Sequence, residues 1–184
     1  MKNIIAEAQR IATLAHAGQK RKYEESDRDY IVHPIRVADR AKTAGMSNTA
    51  IAAAFLHDVF EDCAAEWRDS VADNCGASVF AMVCELTNPS KGLKSLRALR
   101  KEIDRAHLKN VSLDAVCLKF IDRTDNLLHM FAAPEDFKRL YIAESAALLE
   151  TLKTNVHYYD AEYSMGFFAK EYEAAMKKLQ ETLK

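Results

Sequence analysis

The residues of this sequence that could do chemistry gather around one histidine–aspartate pair. His57 and Asp58 directly follow a strongly apolar run, and the acidic residues Glu61 and Asp62 come shortly after them. Residues four apart share one face of a helix, so a helix would place His57 beside Glu61. Asp58 and Asp62 have the same spacing and would lie on the neighbouring face. Imidazole and carboxylate groups at a buried helix end favour metal binding and acid–base chemistry.

Two further polar residues stand at the edges of apolar runs. His33 precedes a proline at a predicted helix start, and Asp122 follows a largely apolar run in a later helix. A structural hydrogen bond is the commoner explanation of a lone His-Asp pair, but a buried polar group needs a partner. His33 and Asp122 together with the pair would give two nitrogen and two oxygen ligands with open positions for water. That set suits Mn²⁺, Fe²⁺ or Zn²⁺.

Helices must position these residues, because five glycines and three prolines in 184 residues supply few tight turns. Hydrophobic periodicity predicts an all-α fold, a bundle of about eight or nine helices. A second helix is predicted at 33–44, ended by Gly45, and a third begins at Ser47 and runs through Leu56. The other predicted helices lie near 4–15, 66–73 and 77–86, then up to about 108, and at 115–130, 135–157 and 163–183.

Composition limits the domain count, the partners and the location. The chain has no repeat, low-complexity tract or linker, so residues 1–184 are predicted to form a single domain. The 26 Lys and Arg against 27 Asp and Glu predict no nucleic-acid partner. The longest strongly apolar stretch, Ile51 to Leu56, is too short to span a bilayer, so no membrane partner is expected. The oligomeric state is left open.

The four cysteines show neither a CxxC pair nor the regular spacing of a disulfide framework. Buried, reduced thiols are therefore predicted. Together with the absence of a signal peptide pattern, this predicts a cytoplasmic protein.

Four segments, in order along most of the chain, carry a resemblance to a known family. LAHAGQKRK at 14–22, YIVHPIRVA at 30–38, AAAFLHDVFED at 52–62 and LKFIDRTDNL at 118–127 resemble the motifs of HD-domain hydrolases of the RelA/SpoT type. Those enzymes remove the 3′-pyrophosphate of the alarmone (p)ppGpp. Because no synthetase or regulatory region accompanies the motifs, the chain looks most like a stand-alone small alarmone hydrolase.

The resemblance implies a reaction and a role for each matching residue. The expected reaction is metal-dependent hydrolysis of (p)ppGpp to GDP or GTP and pyrophosphate. One Mn²⁺ ion would be held by four side chains, those of His33, His57, Asp58 and Asp122. Water activation and proton transfer would fall to two carboxylates, Glu61 and Asp62. The nucleotide would be contacted by three side chains, those of Arg21, Lys22 and Asn126.

One departure from the family pattern keeps other functions open. The segment YEESDRD at 23–29 is longer than usual, carries four acidic residues and borders the expected nucleotide site. It favours a phosphohydrolase that acts on another nucleotide, such as a nucleoside monophosphate or the 2′-phosphate of NADPH. A non-catalytic nucleotide sensor is the alternative from another class. His129 is a further candidate pocket residue, whereas Lys91 and Lys94 are predicted to be solvated.

Overall fold

The computed structural model describes residues 3–24, 27–155 and 164–183, and within these ranges it contains ten helices and no strand. Nine of the helices have nine or more residues, which confirms the predicted all-α fold. In order they are α1 Ile4–Ala15, α2 Val32–Thr43, α3 Asn48–Leu56, α4 Val59–Asp62, α5 Trp67–Cys75, α6 Ala77–Leu86, α7 Arg97–Leu108, α8 Leu113–Leu128, α9 Glu135–Lys153 and α10 Ser164–Gln180.

The chain divides into two compact units. The first comprises Met1–Arg21 and Asp27–Thr87, and the second comprises Lys22–Ser26 and Asn88–Lys184. Helices α1 to α6 therefore belong to the first unit and α7 to α10 to the second. The prediction that residues 1–184 form one domain stays a prediction.

Helix α3 forms the centre of the first unit. It packs against α1, α2 and α6, and every residue from Ala50 to Leu56 is buried. A helix that is apolar all round is stable only when other elements surround it. Ser47 begins the helix as predicted, since its Oγ accepts a hydrogen bond from the Ala50 N–H at 3.1 Å. The C-terminal end of α3 is therefore held deep inside this unit.

Helix α2 contains His33, and it ends within one residue of the predicted position. It covers Val32–Thr43 and is followed by Gly45, whose φ of 73° lies in the left-handed region that favours glycine. The Gly45 N–H donates to the Lys42 carbonyl at 3.0 Å. His33, in the first turn of α2, is thereby fixed on a helix that packs against α3.

The second unit is built around α8, which packs against α9 and α10. The Phe120 and Tyr172 rings meet edge to face, with centroids 5.7 Å apart, and both are fully buried. The Tyr172 hydroxyl donates to the Ser145 carbonyl at 2.9 Å. Two predicted helix ends, at 157 and 163, lie outside the described residues.

The cysteine prediction is correct for two residues and wrong for a third. All four thiols are free, and Cys75 and Cys117 are buried as predicted. Cys84 is exposed, because the buried face of α6 is formed by Val79 and Val83 and the next residue points elsewhere. Among the helices described, none combines the length and apolar character that crossing a membrane requires.

Candidate metal centre

His33, His57 and Asp58 form a compact cluster in the first unit. The two Nε2 atoms of His33 and His57 are 3.2 Å apart. Oδ2 of Asp58 lies 3.0 Å from Nε2 of His57 and 3.6 Å from Nε2 of His33. The imidazoles are 0% and 1% exposed. Within the described ranges, this is the group of three or more His, Cys, Asp or Glu side chains that could hold a metal ion.

His57 and Asp58 form the two-residue turn between two helices. Helix α3 ends at Leu56, as predicted, and α4 begins at Val59, so the pairing of His57 with Glu61 does not fall on one continuous helix. The Asp58 carbonyl accepts from the Asp62 N–H at 2.9 Å and starts the short helix. Neighbouring residues on a regular helix point roughly 100° apart. The ring and the carboxylate nevertheless meet, since Oδ2 of Asp58 lies 3.0 Å from Nε2 of His57.

One ring nitrogen of His57, Nδ1, is bonded to the backbone, and the other, Nε2, faces the Asp58 carboxylate. Nδ1 of His57 lies 2.8 Å from the Ala54 carbonyl, which can only accept, so Nδ1 carries the hydrogen. An unprotonated Nε2 would face the Asp58 carboxylate oxygen, and both atoms would then be acceptors. Two acceptors 3.0 Å apart need a proton or a cation between them. Because metal-binding histidines usually donate their other N–H to a carbonyl or carboxylate, these residues fit a divalent metal.

Tyr30 holds the carboxylate of the cluster. Its hydroxyl donates to Oδ2 of Asp58 at 2.6 Å, and its ring meets His33 edge-on at 6.0 Å. The other side of the ring stacks on His16, with centroids 4.7 Å apart. Sequence reasoning missed Tyr30, although it opens the segment YIVHPIRVA three residues before His33. That position beside a predicted ligand was the available signal.

A second layer of contacts supports Tyr30. His16 is 2% exposed, and its Nδ1 lies 2.8 Å from Oε1 of Gln19 and 3.4 Å from Sγ of Cys63. The Gln19 amide also donates to the Asp62 carbonyl at 3.1 Å. The end of α1 is thus bonded to the segment that follows α4. This network fixes the imidazole on which the Tyr30 ring rests.

The residues predicted to activate water lie on α4, directly after the cluster. Glu61 is half-buried and Asp62 is exposed. Of the predicted nucleotide contacts, Arg21 places its guanidinium 5.5 Å from the centre of the Tyr30 ring, within the range of a cation–π contact. Lys22 is exposed and belongs to the second unit. Arg21 is therefore linked to the cluster through Tyr30.

A lysine that precedes the acidic segment 23–29 lies close to two of its carboxylates. Nζ of Lys20 lies 2.9 Å from Oδ1 of Asp29 and 3.8 Å from Oδ2 of Asp27. A bridge pairs Lys20 with Asp29, and the Arg21 N–H donates to the Arg28 carbonyl at 2.9 Å. Glu25 and Ser26 lie outside the described residues. Two of the four acidic side chains thus share one lysine, which compensates one of their two negative charges.

Asp122 and Asn126 lie one turn apart on α8, in the second unit. The Asn126 amide donates to Oδ1 of Asp122 at 2.8 Å, and Nζ of Lys119 lies 3.7 Å from Oδ2. These contacts fix the orientation of the half-buried carboxylate. The structure thus brings together three of the four predicted metal ligands in the first unit. The place of Asp122 as the fourth ligand stays a prediction.

The remaining candidates have structural explanations. His129 ends α8, where its Nδ1 donates to the Asp125 carbonyl at 2.8 Å. Lys91 and Lys94 are exposed, as predicted.

Comparison with known proteins relates most of the chain to one family. The HD domain family matches residues 8–152. A guanosine-3′,5′-bis(diphosphate) 3′-pyrophosphohydrolase of Vibrio cholerae is 28% identical over 95% of the chain, and one of Aquifex aeolicus is 31% identical over 76%. The bifunctional (p)ppGpp synthase/hydrolase SpoT of Escherichia coli is 26% identical over 90%. The chain spans 25%, 19% and 24% of these three proteins, about a quarter of their length or less.

A solved structure shares the fold. It belongs to a metazoan ortholog of SpoT that hydrolyses ppGpp and plays a role in starvation responses. The match has a TM-score of 0.77 and covers 97% of this chain and 96% of that one. At 20% sequence identity, this likeness shows the all-α architecture alone.

Proposed function

Because this chain belongs to the HD domain family, we propose that it is a metal-dependent hydrolase that releases pyrophosphate from the 3′ position of (p)ppGpp. The products would be GDP or GTP and pyrophosphate. The observation that carries the proposal is the His33–His57–Asp58 cluster, whose ligand atoms lie within 4.8 Å of one another. The curated relatives are named for this same reaction, which supports the choice of substrate.

We propose Mn²⁺ as the metal, with His33, His57 and Asp58 as ligands and Asp122 as the fourth. Two imidazoles and two carboxylates suit Mn²⁺, and Fe²⁺ or Zn²⁺ would take similar ligands. A divalent ion held there would polarise a phosphoryl oxygen and lower the pKa of a water molecule. The protein contributes the orientation of its ligands, which Tyr30 fixes by bonding the Asp58 carboxylate.

Glu61 is the proposed general base and Asp62 the residue that shares its proton. Glu61 is half-buried on the short helix that begins directly after Asp58. It would accept a proton from water as the water oxygen bonds to the phosphorus next to the ribose 3′ oxygen. The bond from that phosphorus to the 3′ oxygen would break, and the 3′ oxygen would take the proton that Glu61 and Asp62 share.

Arg21, Lys22 and Asn126 are the proposed nucleotide contacts. The planar guanidinium of Arg21 can bond two phosphate oxygens or stack on a base, and its position beside Tyr30 supports a role next to the metal ligands. The acidic segment keeps another nucleotide as the alternative substrate, because Lys20 sets one positive charge against Asp27 and Asp29. We further propose a cytoplasmic location, since four free thiols suit a reducing compartment.

A substrate panel tests the proposal. The purified protein with Mn²⁺ is incubated separately with ppGpp, a nucleoside monophosphate and NADPH, and released pyrophosphate and orthophosphate are both measured. We expect pyrophosphate from ppGpp and no orthophosphate from the other two. If orthophosphate is released from the monophosphate or from NADPH, and no pyrophosphate is released from ppGpp, then the substrate is another nucleotide. Binding of ppGpp without any release would identify a sensor.

A further inference from the structure

A cavity in the second unit, walled by α7, α8 and α9, is lined by cationic side chains that the proposed metal chemistry does not use. Its volume is about 80 Å³, several times what a single water molecule occupies. Four cationic side chains line it, those of Lys101, Arg105, Lys119 and Arg123. Three carboxylates share the wall, so the lining carries one more positive than negative charge.

The three carboxylates already have donors. Oδ1 of Asp104 accepts from the Ser90 N–H at 3.1 Å. Glu144 accepts two hydrogen bonds from the Arg97 guanidinium, at 2.6 Å and 2.9 Å. Asp122 accepts from the amide one turn further along α8. The acidic groups of the wall are therefore engaged.

Two of the four cations are engaged as well. Nζ of Lys119 lies 3.7 Å from the Asp122 carboxylate. The Arg123 guanidinium covers the Tyr141 ring at 3.7 Å from its centroid and donates to the Ser145 hydroxyl at 2.9 Å. These contacts fix both side chains in the wall of the cavity.

Lys101 and Arg105 are the cations left over. They lie four residues apart on α7, which places two like charges on the same helix face. Both are half-buried, and neither forms an ion pair with a carboxylate in the described ranges of the chain. Burial lowers the pKa of Lys101 and the positive charge of Arg123 lowers it further, whereas the Glu144 and Asp104 carboxylates act in the opposite direction. Two partly desolvated cations beside a cavity are stabilised when an anion enters it.

We propose that this cavity binds a phosphate group through Lys101 and Arg105. An ammonium and a guanidinium on one face offer several charged donors to the oxygens of one phosphate. The phosphate has two possible sources: the nucleotide substrate, in which case the inference rests on the proposed function, or free inorganic phosphate or pyrophosphate.

Titration calorimetry on chelator-treated protein tests the cavity without the metal. Inorganic phosphate and pyrophosphate are the probes, and Lys101→Met and Arg105→Met are the variants. Lys109→Met, at the exposed C-terminal end of α7, is the matched control. We expect binding to the wild type, at least tenfold weaker binding to each of the two variants, and no change in the control.

Lys101→Arg keeps the charge, so it should retain binding even if Lys101→Met unfolds, which a thermal melt would reveal. The proposal is overturned if the wild type binds neither probe, or if Lys109→Met weakens binding as much as Lys101→Met does.

A kinetic arm separates the two sources. With Mn²⁺ and ppGpp, a substrate phosphate in the cavity predicts a KM about tenfold higher for Lys101→Met with little change in kcat. A free phosphate predicts an unchanged KM and the loss of inhibition by added phosphate. Should the protein not hydrolyse ppGpp at all, the calorimetry still decides whether the cavity binds phosphate.

Discussion

The Tyr30 hydroxyl and the Asp58 carboxylate are joined by a hydrogen bond of 2.6 Å. The same oxygen, Oδ2, faces Nε2 of His57 at 3.0 Å. One carboxylate oxygen therefore accepts a hydrogen bond from a tyrosine and also faces a ring nitrogen of His57. Tyr30 also stacks on the buried His16, which directly follows α1. The position of the Asp58 carboxylate therefore depends on the packing at the end of α1.

Replacing Tyr30 by phenylalanine tests this relationship. Tyr30→Phe keeps the ring stack but removes the O–H, so Asp58 loses its fixed orientation. We expect Mn²⁺ affinity to fall by about 10–100-fold, the usual effect of losing a partner of a metal ligand. Titration calorimetry with Mn²⁺ measures it, and Tyr141→Phe in the second unit is the matched control. An unchanged dissociation constant for Tyr30→Phe would show that the bond does not support the metal site.

Metal binding should raise the melting temperature of the protein. A ligand at about 100 times its dissociation constant stabilises the folded state by about 2.7 kcal/mol. For a chain of this length that corresponds to a rise in Tm of about 5–10 °C. Mn²⁺ should produce this rise in the wild type and in His129→Ala, whose histidine ends α8, but not in His57→Ala. An equal rise in His57→Ala would place the bound ion elsewhere.

Asp122 is the predicted ligand that the first unit does not contain. Asp122→Asn preserves the size of the side chain and removes its charge, so it should weaken Mn²⁺ binding more than tenfold if the carboxylate is a ligand. Asp114→Asn, in the first turn of the same helix, is the control. Equal Mn²⁺ affinity in wild type and Asp122→Asn would restrict the ligand set to His33, His57 and Asp58.

The sequence was sufficient for the helices and for most of the cluster, because both follow from local patterns. The apolar run that ends at Leu56 forces its helix into the core, which buries His57 next to it. Pro34 and Gly45 define where α2 begins and ends, and hence where His33 lies.

What the sequence could not supply depends on side-chain contacts between distant segments. The turn between α3 and α4 contains no glycine or proline, so its residue types do not indicate where the short helix α4 begins. The bond from Tyr30 to Asp58 and the contact between His16 and Cys63 join residues 28 and 47 positions apart. Lys101 and Arg105 line a cavity whose walls come from three helices, an arrangement that no local sequence pattern indicates.

The buried Tyr172 predicts how stability depends on pH. Burial raises its pKa from 10.0 to about 12, so the folded state favours the neutral phenol. The corresponding stability is present below about pH 10, where the unfolded chain is also neutral. It is lost as the pH rises through about 12, by about 2–3 kcal/mol in total.

Tyr172→Phe should therefore unfold with a weaker pH dependence than the wild type between about pH 10 and 12. At neutral pH it should be about 1 kcal/mol less stable, because the bond to the Ser145 carbonyl is lost. Denaturant unfolding at several pH values measures both effects. Parallel curves for the two proteins above pH 10 would contradict the assignment.

The most direct test of the metal-dependent hydrolase is pyrophosphate release from ppGpp by wild type, Asp58→Ala and Glu61→Gln, each with Mn²⁺ and with a chelator. The account predicts release by the wild type with Mn²⁺ and none with the chelator. Asp58→Ala should lose both metal and activity, whereas Glu61→Gln should bind Mn²⁺ normally and turn over about 10²–10⁴-fold more slowly. A wild type that releases no pyrophosphate with Mn²⁺, or an Asp58→Ala that releases it at the wild-type rate, would contradict it.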